Sequence, residues 1–308
     1  MAGLEMAGME TFMFYNVENL YPPDQEGWPS SRLHNWDDYK YRLKIRKINN
    51  VFRFIQEDYQ RLPSIIGLAE IGAKSVLEDL TDGSSPIRHY EIIYQSSGDS
   101  RGLSVALLFD KEKYKLQKSE FLKFTTGDPA LETRDVLHAV FLYNLKKFHV
   151  FAVHLPSKRN RDVKKEFRNH ICKKLQILFS ELHDRKEAII LMGDLNDNPD
   201  NESVQLLKKH HEDQILSNPF ELLFSQGRFS CFHRKKGVLF DQILFTEKAL
   251  ADVFSVKYIG AEIYNNTKLR NKGNQQLYFP ARTYSGSRYM GGYSDHFPIL
   301  LHLHDSHK

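Results

Sequence analysis

Short apolar runs that each end in a polar side chain alternate along this chain with two stretches in which apolar residues recur every three or four positions. Thr11-Phe-Met-Phe-Tyr-Asn16 reads as a buried strand that stops at an amide. Ser64 to Ala69 is a second such run, followed by Glu70. Further strands are predicted over Leu103 to Phe109, Val136 to Tyr143 and Phe148 to Val153; "NLKK" between the last two suits a hairpin, and His154 closes the later one. Ala188 to Met192 runs into Asp194, "VLFDQILFT" carries Asp241 inside an otherwise apolar strand, and "YSDHFPILLHL" places Asp295 and His296 just before the final one. The helical stretches are carried by Tyr41, Ile45, Ile48, Phe52, Ile55 and Tyr59, and by Phe167, Ile171, Leu175, Leu178 and Leu182, each set on one face.

Strands and helices mixed throughout, with hairpin-like neighbours, predict one α/β domain over 11–304 with a substantial antiparallel component, behind an N-terminal extension of residues 1–10. No repeat, low-complexity block or linker interrupts it. The least patterned piece, about Asn265 to Gly292, is rich in Asn, Gly, Arg and Tyr and long enough to be a functional loop.

Composition changes this picture little. Of 308 residues, 41% are hydrophobic and 27% charged, which is ordinary for a globular protein and excludes a disordered chain. No apolar run approaches the ~18 residues of a membrane span. No basic-then-apolar leader is visible at the start, so a cytoplasmic location is expected. Cys172 and Cys231 fit neither a disulfide framework nor a metal cluster by spacing. The Asn-x-Ser/Thr matches at Asn201 and Asn265 carry little weight without export. A net charge of +4 permits a polyanionic partner without requiring one.

The polar residues at the strand edges change the picture more. Asn16, Glu70, His154, Asp194, Asn196, Asp295 and His296 all sit where open sheets build their sites. Each alone is explained at least as well as a turn residue, since Asp and Asn stop strands and bond nearby backbone. Together, acids, amides and imidazoles at successive strand edges make coincidence a poor account. Asp194 and Asn196, one residue apart, project to the same side of an extended segment. Asp241, flanked by Leu239, Phe240, Ile243 and Leu244, needs a partner if buried, and a histidine would serve. Oxygen donors without a cysteine cluster select Mg²⁺, Mn²⁺ or Ca²⁺ over zinc. Phosphate-ester hydrolysis needs such a cation, an activated water and help for the departing oxygen.

"FYNVENL", "LAEI", "VHLPS", "GDLND" and "YSDHFPI", in this order over nearly the whole chain, resemble the endonuclease/exonuclease/phosphatase superfamily, the deoxyribonuclease I-like metal-dependent phosphoesterases. "DSRGLSVALLF", "ETRDVLHA" and "RTYSGSRYMGGYSDH" look most like a bacterial subgroup. The resemblance implies a four-layered α/β sandwich, two mixed sheets face to face with helices outside. It implies that Glu70 binds the divalent metal with Asn16 and Asp295 around it. Asp194 would align or deprotonate water, Asn196 would hold a phosphoryl oxygen, Asp241 would orient His296, and His154 would donate to the phosphate or leaving oxygen. The position of His154 is more often Tyr in the abasic-site endonucleases, which argues against a dedicated abasic-site role. Asp99 is the one candidate acidic partner for His154.

Substrate class is approached through the cations. Lys158, Arg159, Arg161, Lys164, Lys165, Arg168, Lys173 and Lys174 crowd the segment after His154, against Asp162 and Glu166. They form either a phosphate-tracking edge or a solvated, ion-paired helix face. Arg101 and Arg134 near strand starts suit forked phosphate recognition, the latter position often being Arg in the family. Arg282 and Arg288, interleaved with tyrosines, could clamp phosphates and stack bases, or pack the loop shut. The expected function is a Mg²⁺-dependent nuclease or nucleic-acid phosphodiesterase acting as a monomer. The alternatives are a hydrolase of small phosphoesters (inositol phosphates, nucleotides, phospholipid head groups) and a non-catalytic module that kept the fold.

Overall fold

The computed structural model describes residues 9–23, 33–125, 133–158, 162–210, 213–233, 235–271 and 278–305. The first long elements are β1 (Met9–Leu20), α1 (Asp38–Tyr59), β2 (Ile65–Ile71), α2 (Lys74–Thr81), β3 (Tyr90–Tyr94) and β4 (Ser104–Asp110). There follow β5 (Lys115–Leu122), β6 (Val136–Tyr143), β7 (Lys146–His154), α3 (Lys165–Asp184), β8 (Ala188–Asp194) and α4 (Glu202–Lys208). Short strands β9 (Lys209–His210) and β10 (Asp213–Gln214), helix α5 (Phe220–Ser225) and strands β11 (Cys231–His233) and β12 (Lys236–Val238) lead to β13 (Asp241–Phe245). The chain ends through α6 (Glu247–Phe254), β14 (Val256–Ile263), the hairpin β15 (Tyr284–Ser285) and β16 (Arg288–Tyr289), and β17 (Ile299–Asp305).

Two mixed sheets result. One has the order β14-β17-β1-β2-β4-β3 and the other β13-β8-β7-β6-β5. Each is built around one parallel pair, β1 with β2 and β7 with β8, flanked by antiparallel neighbours. A parallel pair needs a crossover connection. The two predicted amphipathic helices supply them: α1 joins β1 to β2 and α3 joins β7 to β8.

The alternation of side chains along β7 and β8 distributes the core. Val150, Ala152, Ile190 and Met192 join the large cluster shared with the first sheet, whereas Phe151, Val153, Ile189 and Leu191 join Phe167, Ile171, Leu175 and Phe179 of α3. Both faces are covered, which is why these strands read as continuous apolar runs. At the sheet-to-sheet contact a Cβ on Gly67 would lie 2.7 Å from the Met192 sulfur, so a larger residue there would have to push Met192 aside. The buried face of α1, with Ile48, Val51, Phe52 and Ile55, belongs to the same large cluster.

The β6–β7 hairpin is as expected, and Asn144 and Leu145 both adopt positive φ (47° and 66°), the two-residue turn that matches strand twist. Three expectations are corrected. Asp241 does not interrupt a strand but opens β13, opposite Asp194 of the antiparallel β8, so it too stands at an edge and at the same end of the sheet. The segment from Asn265 to Gly292 is not uniformly irregular, since it holds a 3₁₀ turn at Thr267–Leu269 and the β15–β16 hairpin; residues 272–277 lie outside the described residues. The basic segment is not a uniformly solvated face. Lys173 and Lys174 are exposed but Arg168 is fully buried, and Arg159 and Arg161 lie outside the described residues.

Candidate active site

The ends of both parallel pairs converge. Asn16 on β1, Glu70 on β2, His154 at the end of β7 and Asp194 at the end of β8 all lie at carboxyl ends of parallel strands, the edge where α/β sheets gather polar groups. The first two are presented by a matched irregularity. The β1–β2 register shifts between Asn16 and Leu20, and Glu18, Asn19 and Glu70 all take positive φ (55°, 49° and 67°). Such conformations are costly for residues with a Cβ and persist where surrounding structure over-determines them.

Asp194 is the hub. One carboxylate oxygen accepts from Asn16 Nδ2 at 3.0 Å and lies 3.5 Å from His154 Nε2, while the other accepts from the Asn196 backbone N–H at 3.0 Å. Burial first, and then the charge of Asp241 across the strand pair, raise its pKa to about 6, against the pull of His296 and of the bonds it accepts. Asn196, at φ 51°, donates its side-chain amide to the Leu155 carbonyl at 2.9 Å. Gly193 before the hub lies so close to β7 that a Cβ would sit 2.4 Å from the Val153 carbonyl oxygen.

Asp241 is fully buried and receives two donors on one oxygen, Ser230 Oγ at 2.5 Å and His296 Nδ1 at 2.7 Å. Burial opposes the His296 charge, but the Asp241 carboxylate and the Cys231 sulfur together outweigh it and raise the imidazole pKa well above its ordinary range. The partner that the sequence called for at Asp241 is therefore this histidine. Ser294 fixes the turn that delivers it, donating to the Asn16 carbonyl at 2.6 Å and accepting the His296 N–H at 3.1 Å.

Glu70 accepts from the Asn19 N–H at 2.8 Å and faces Arg101 at 3.5 Å. Asn16 Oδ1 accepts the Glu18 N–H. Asp295 is held by Arg282 Nη2 at 2.8 Å, and Arg282 also approaches Glu18 at 3.7 Å. Arg134 is buried, 3.5 Å from Asp99, and the carboxylates of Glu70 and Asp194 act on it from nearby; burial pulls its pKa down against their charge. Asp99 pairs with Arg134 and Arg101. Arg288 is exposed on β16 and no side-chain bond joins it to the cluster among the described residues.

Four further groups take roles that their places in the sequence do not disclose. Glu18, two residues past Asn16, is buried and accepts the backbone N–H groups of Thr283 and Tyr284; burial and then Asp295 raise its pKa to about 7. Lys44, hidden on α1 among apolar positions, donates to Thr283 Oγ1 and the Tyr293 carbonyl, and burial lowers its pKa to about 8. Together they pin the segment that delivers Asp295 and His296. Cys231 lies against the His296 imidazole, and a donor atom of each of Cys231, Asp241 and His296 falls within 4.8 Å of the others. Spacing along the chain could not disclose that grouping.

Fourth, Arg168 crosses behind the "GDLND" loop, donating to Asp197 (2.5 Å), to both Asp162 oxygens (3.0 Å each) and to the Pro156 carbonyl (3.0 Å). Removing one partner of a buried charge network is strongly destabilising. Arg168→Met should lower unfolding stability by about 3–5 kcal/mol in denaturant titration, because Asp162 loses its cation, Asp197 keeps only Lys158, and the Pro156 carbonyl loses its donor. A loss below 1 kcal/mol would mean water replaces it.

A family model described as endonuclease/exonuclease/phosphatase matches residues 11–305. No curated protein matches the chain. Among solved structures, zebrafish (D. rerio) TDP2 complexed with a single-strand DNA product is 16% identical, covering 96% of this chain and 98% of that one at a TM-score of 0.59. The human Nocturnin catalytic domain is 15% identical (96% and 94% covered, TM-score 0.55). The Bacteroides thetaiotaomicron mannosyl-6-phosphatase Bt3783 is 16% identical (96% and 99%, TM-score 0.58). At these identities the structures share the fold, and it is the family match over nearly the whole length that decides membership. The chain belongs to the endonuclease/exonuclease/phosphatase family of phosphoester hydrolases.

Proposed function

We propose that the protein is a Mg²⁺-dependent phosphodiesterase that cleaves nucleic acid by attack of water. The supporting observation is the closure of Asn16, His154 and Asn196 on the buried Asp194, with the His296–Asp241 pair on the adjacent strand. Glu70, with Asn16 and Asp295, would hold the ion; these oxygen donors suit a hard cation, Mn²⁺ and Ca²⁺ included. When bound, the cation supplies charge neutralisation at the phosphoryl oxygens and a more acidic water. Asp194 orients the attacking water and takes its proton. His154, 3.5 Å from that carboxylate, donates to the phosphoryl or leaving oxygen. Asn196 keeps one amide hydrogen for a phosphoryl oxygen, and the charged His296 faces the same developing anion. Arg101 and Arg134 supply forked donors near Glu70.

Zebrafish TDP2, which shares the fold, was solved with a single-strand DNA product, and the Arg282–Tyr293 segment beside Asp295 adds arginines interleaved with tyrosines. A second reading, a phosphatase on small phosphoesters, is favoured by the close placement of Arg101 and Arg134, a pair that suits the dianion of a terminal phosphate. Substrate panels separate the two. In Mg²⁺ the protein should cleave single-stranded DNA or RNA and lose that activity in EDTA. With about three phosphate contacts on a single strand, affinity should fall about 20-fold between about 50 and 200 mM salt. Turnover confined to sugar phosphates, nucleotides or inositol phosphates, with a flat salt response, would select the second reading.

A further inference from the structure

At the starts of β11 and β13 lies a donor set whose chemistry differs from the oxygen donors around Glu70. Cys231 opens β11, Asp241 opens β13 and His296 precedes β17, and the chain pairs Cys231 with His296 through an isolated backbone bridge. Sulfur, imidazole nitrogen and carboxylate oxygen are the three donor types that zinc takes. Asp241 supplies a second, independent observation. It is fully buried, and while one of its oxygens receives both Ser230 and His296, Oδ1 has no hydrogen-bond partner. An unpaired buried carboxylate oxygen is costly and waits for a proton donor or a cation.

We propose that Cys231, Asp241 and His296 form an inhibitory site for Zn²⁺ or a similarly soft divalent ion, distinct from the proposed Mg²⁺ site. With metal–ligand distances of about 2.0–2.3 Å the donors need to draw together only modestly from their present separations, and a water or Ser230 Oγ completes the tetrahedron. Binding releases two protons, one from the Cys231 thiol and one from the His296 imidazolium, and leaves an imidazole nitrogen on the ion, so the ion competes with the Asp241–His296 pair. Mg²⁺ does not displace it, because thiolate and imidazole favour zinc and Mg²⁺ favours oxygen. Inhibition rests on the hydrolase reading; the binding itself does not.

The test uses the full chain and Co²⁺ as a spectroscopic zinc substitute. With excess Mg²⁺ present, Co²⁺ should give a thiolate-to-cobalt charge-transfer band and tetrahedral d–d bands, both abolished by added Zn²⁺. With only two cysteines in the chain, Cys172→Ser should keep the band and Cys231→Ser should lose it, with Zn²⁺ affinity by calorimetry at least about 10-fold weaker in the latter. Zn²⁺ should also inhibit hydrolysis of any substrate the protein turns over, and Cys231→Ser should raise the inhibitory concentration at least about 10-fold, each variant being scored against its own zinc-free rate. Absence of a thiolate band in wild type, or its persistence in Cys231→Ser, overturns the site. A band without inhibition overturns only the regulatory part.

Discussion

Asp194→Asn should reduce turnover about 10³- to 10⁴-fold while leaving the fold intact. The magnitude is that of losing a positioned general base or water-orienting carboxylate. The substitution is nearly isosteric and the Asn196 N–H can still be accepted, but the amide NH2 then faces the Asn16 donor and the group no longer takes a proton. Its position makes it the residue on which the others depend: Asn16, His154 and the loop that carries Asn196 all address it. Because Asp194 also carries part of the like-charge crowding with Asp241, relieving that charge should leave thermal stability equal or slightly raised. The pattern to check is a steep loss in kcat with an unchanged or higher melting temperature. A loss in both would make Asp194 a structural residue. Retention of activity would remove Asp194 from the chemistry and leave the water to another group.

Glu70→Gln should lower activity at fixed Mg²⁺ by about 10²-fold or more, and raise the Mg²⁺ concentration for half-maximal rate at least about 10-fold. The backbone supports this separation of effects. Glu70 is presented at φ 67° and braced by the Asn19 N–H, a bond that Gln retains through its carbonyl oxygen. What Gln loses is the charge, and charge is what fixes a hard cation. High Mg²⁺ should therefore restore part of the rate in this variant and none in Asp194→Asn. Equal loss at all Mg²⁺ concentrations would move Glu70 from holding the ion to another task.

The long elements and their polar ends were legible because the physics that buries them is local. Runs such as Ala188 to Met192 are apolar on both faces, and the spacing of Ile48, Phe52 and Ile55 leaves little but a helix. Edge strand β5, "KLQKSEFL", was not legible, because one charged, half-solvated strand carries no apolar run and is defined by its pairing with β6. The short helices α2, α4, α5 and α6 lacked the length for a periodic signal. Within the site, acids and imidazoles at strand edges could be nominated from sequence. Glu18 and Lys44 could not, since their importance comes from bonds to a segment about 240 or more residues away. The same holds for Cys231, whose neighbours Asp241 and His296 meet it only through the strand order. Asp241 was misplaced inside a strand because "VLFDQILFT" looks continuous, whereas the chain turns before it to pair with β8 in the opposite direction.

The claim underlying this account is that segments remote in sequence converge so that Glu70 and its oxygen-bearing neighbours hold one hard cation. Anomalous diffraction from crystals grown with Mn²⁺ tests it directly. A manganese peak bonded to a Glu70 carboxylate oxygen at about 2.1–2.2 Å is expected, with Asn16 or Asp295 in its coordination or joined to it through water. A fully occupied manganese site elsewhere, with Glu70 still bound only to Asn19 and Arg101, would contradict it.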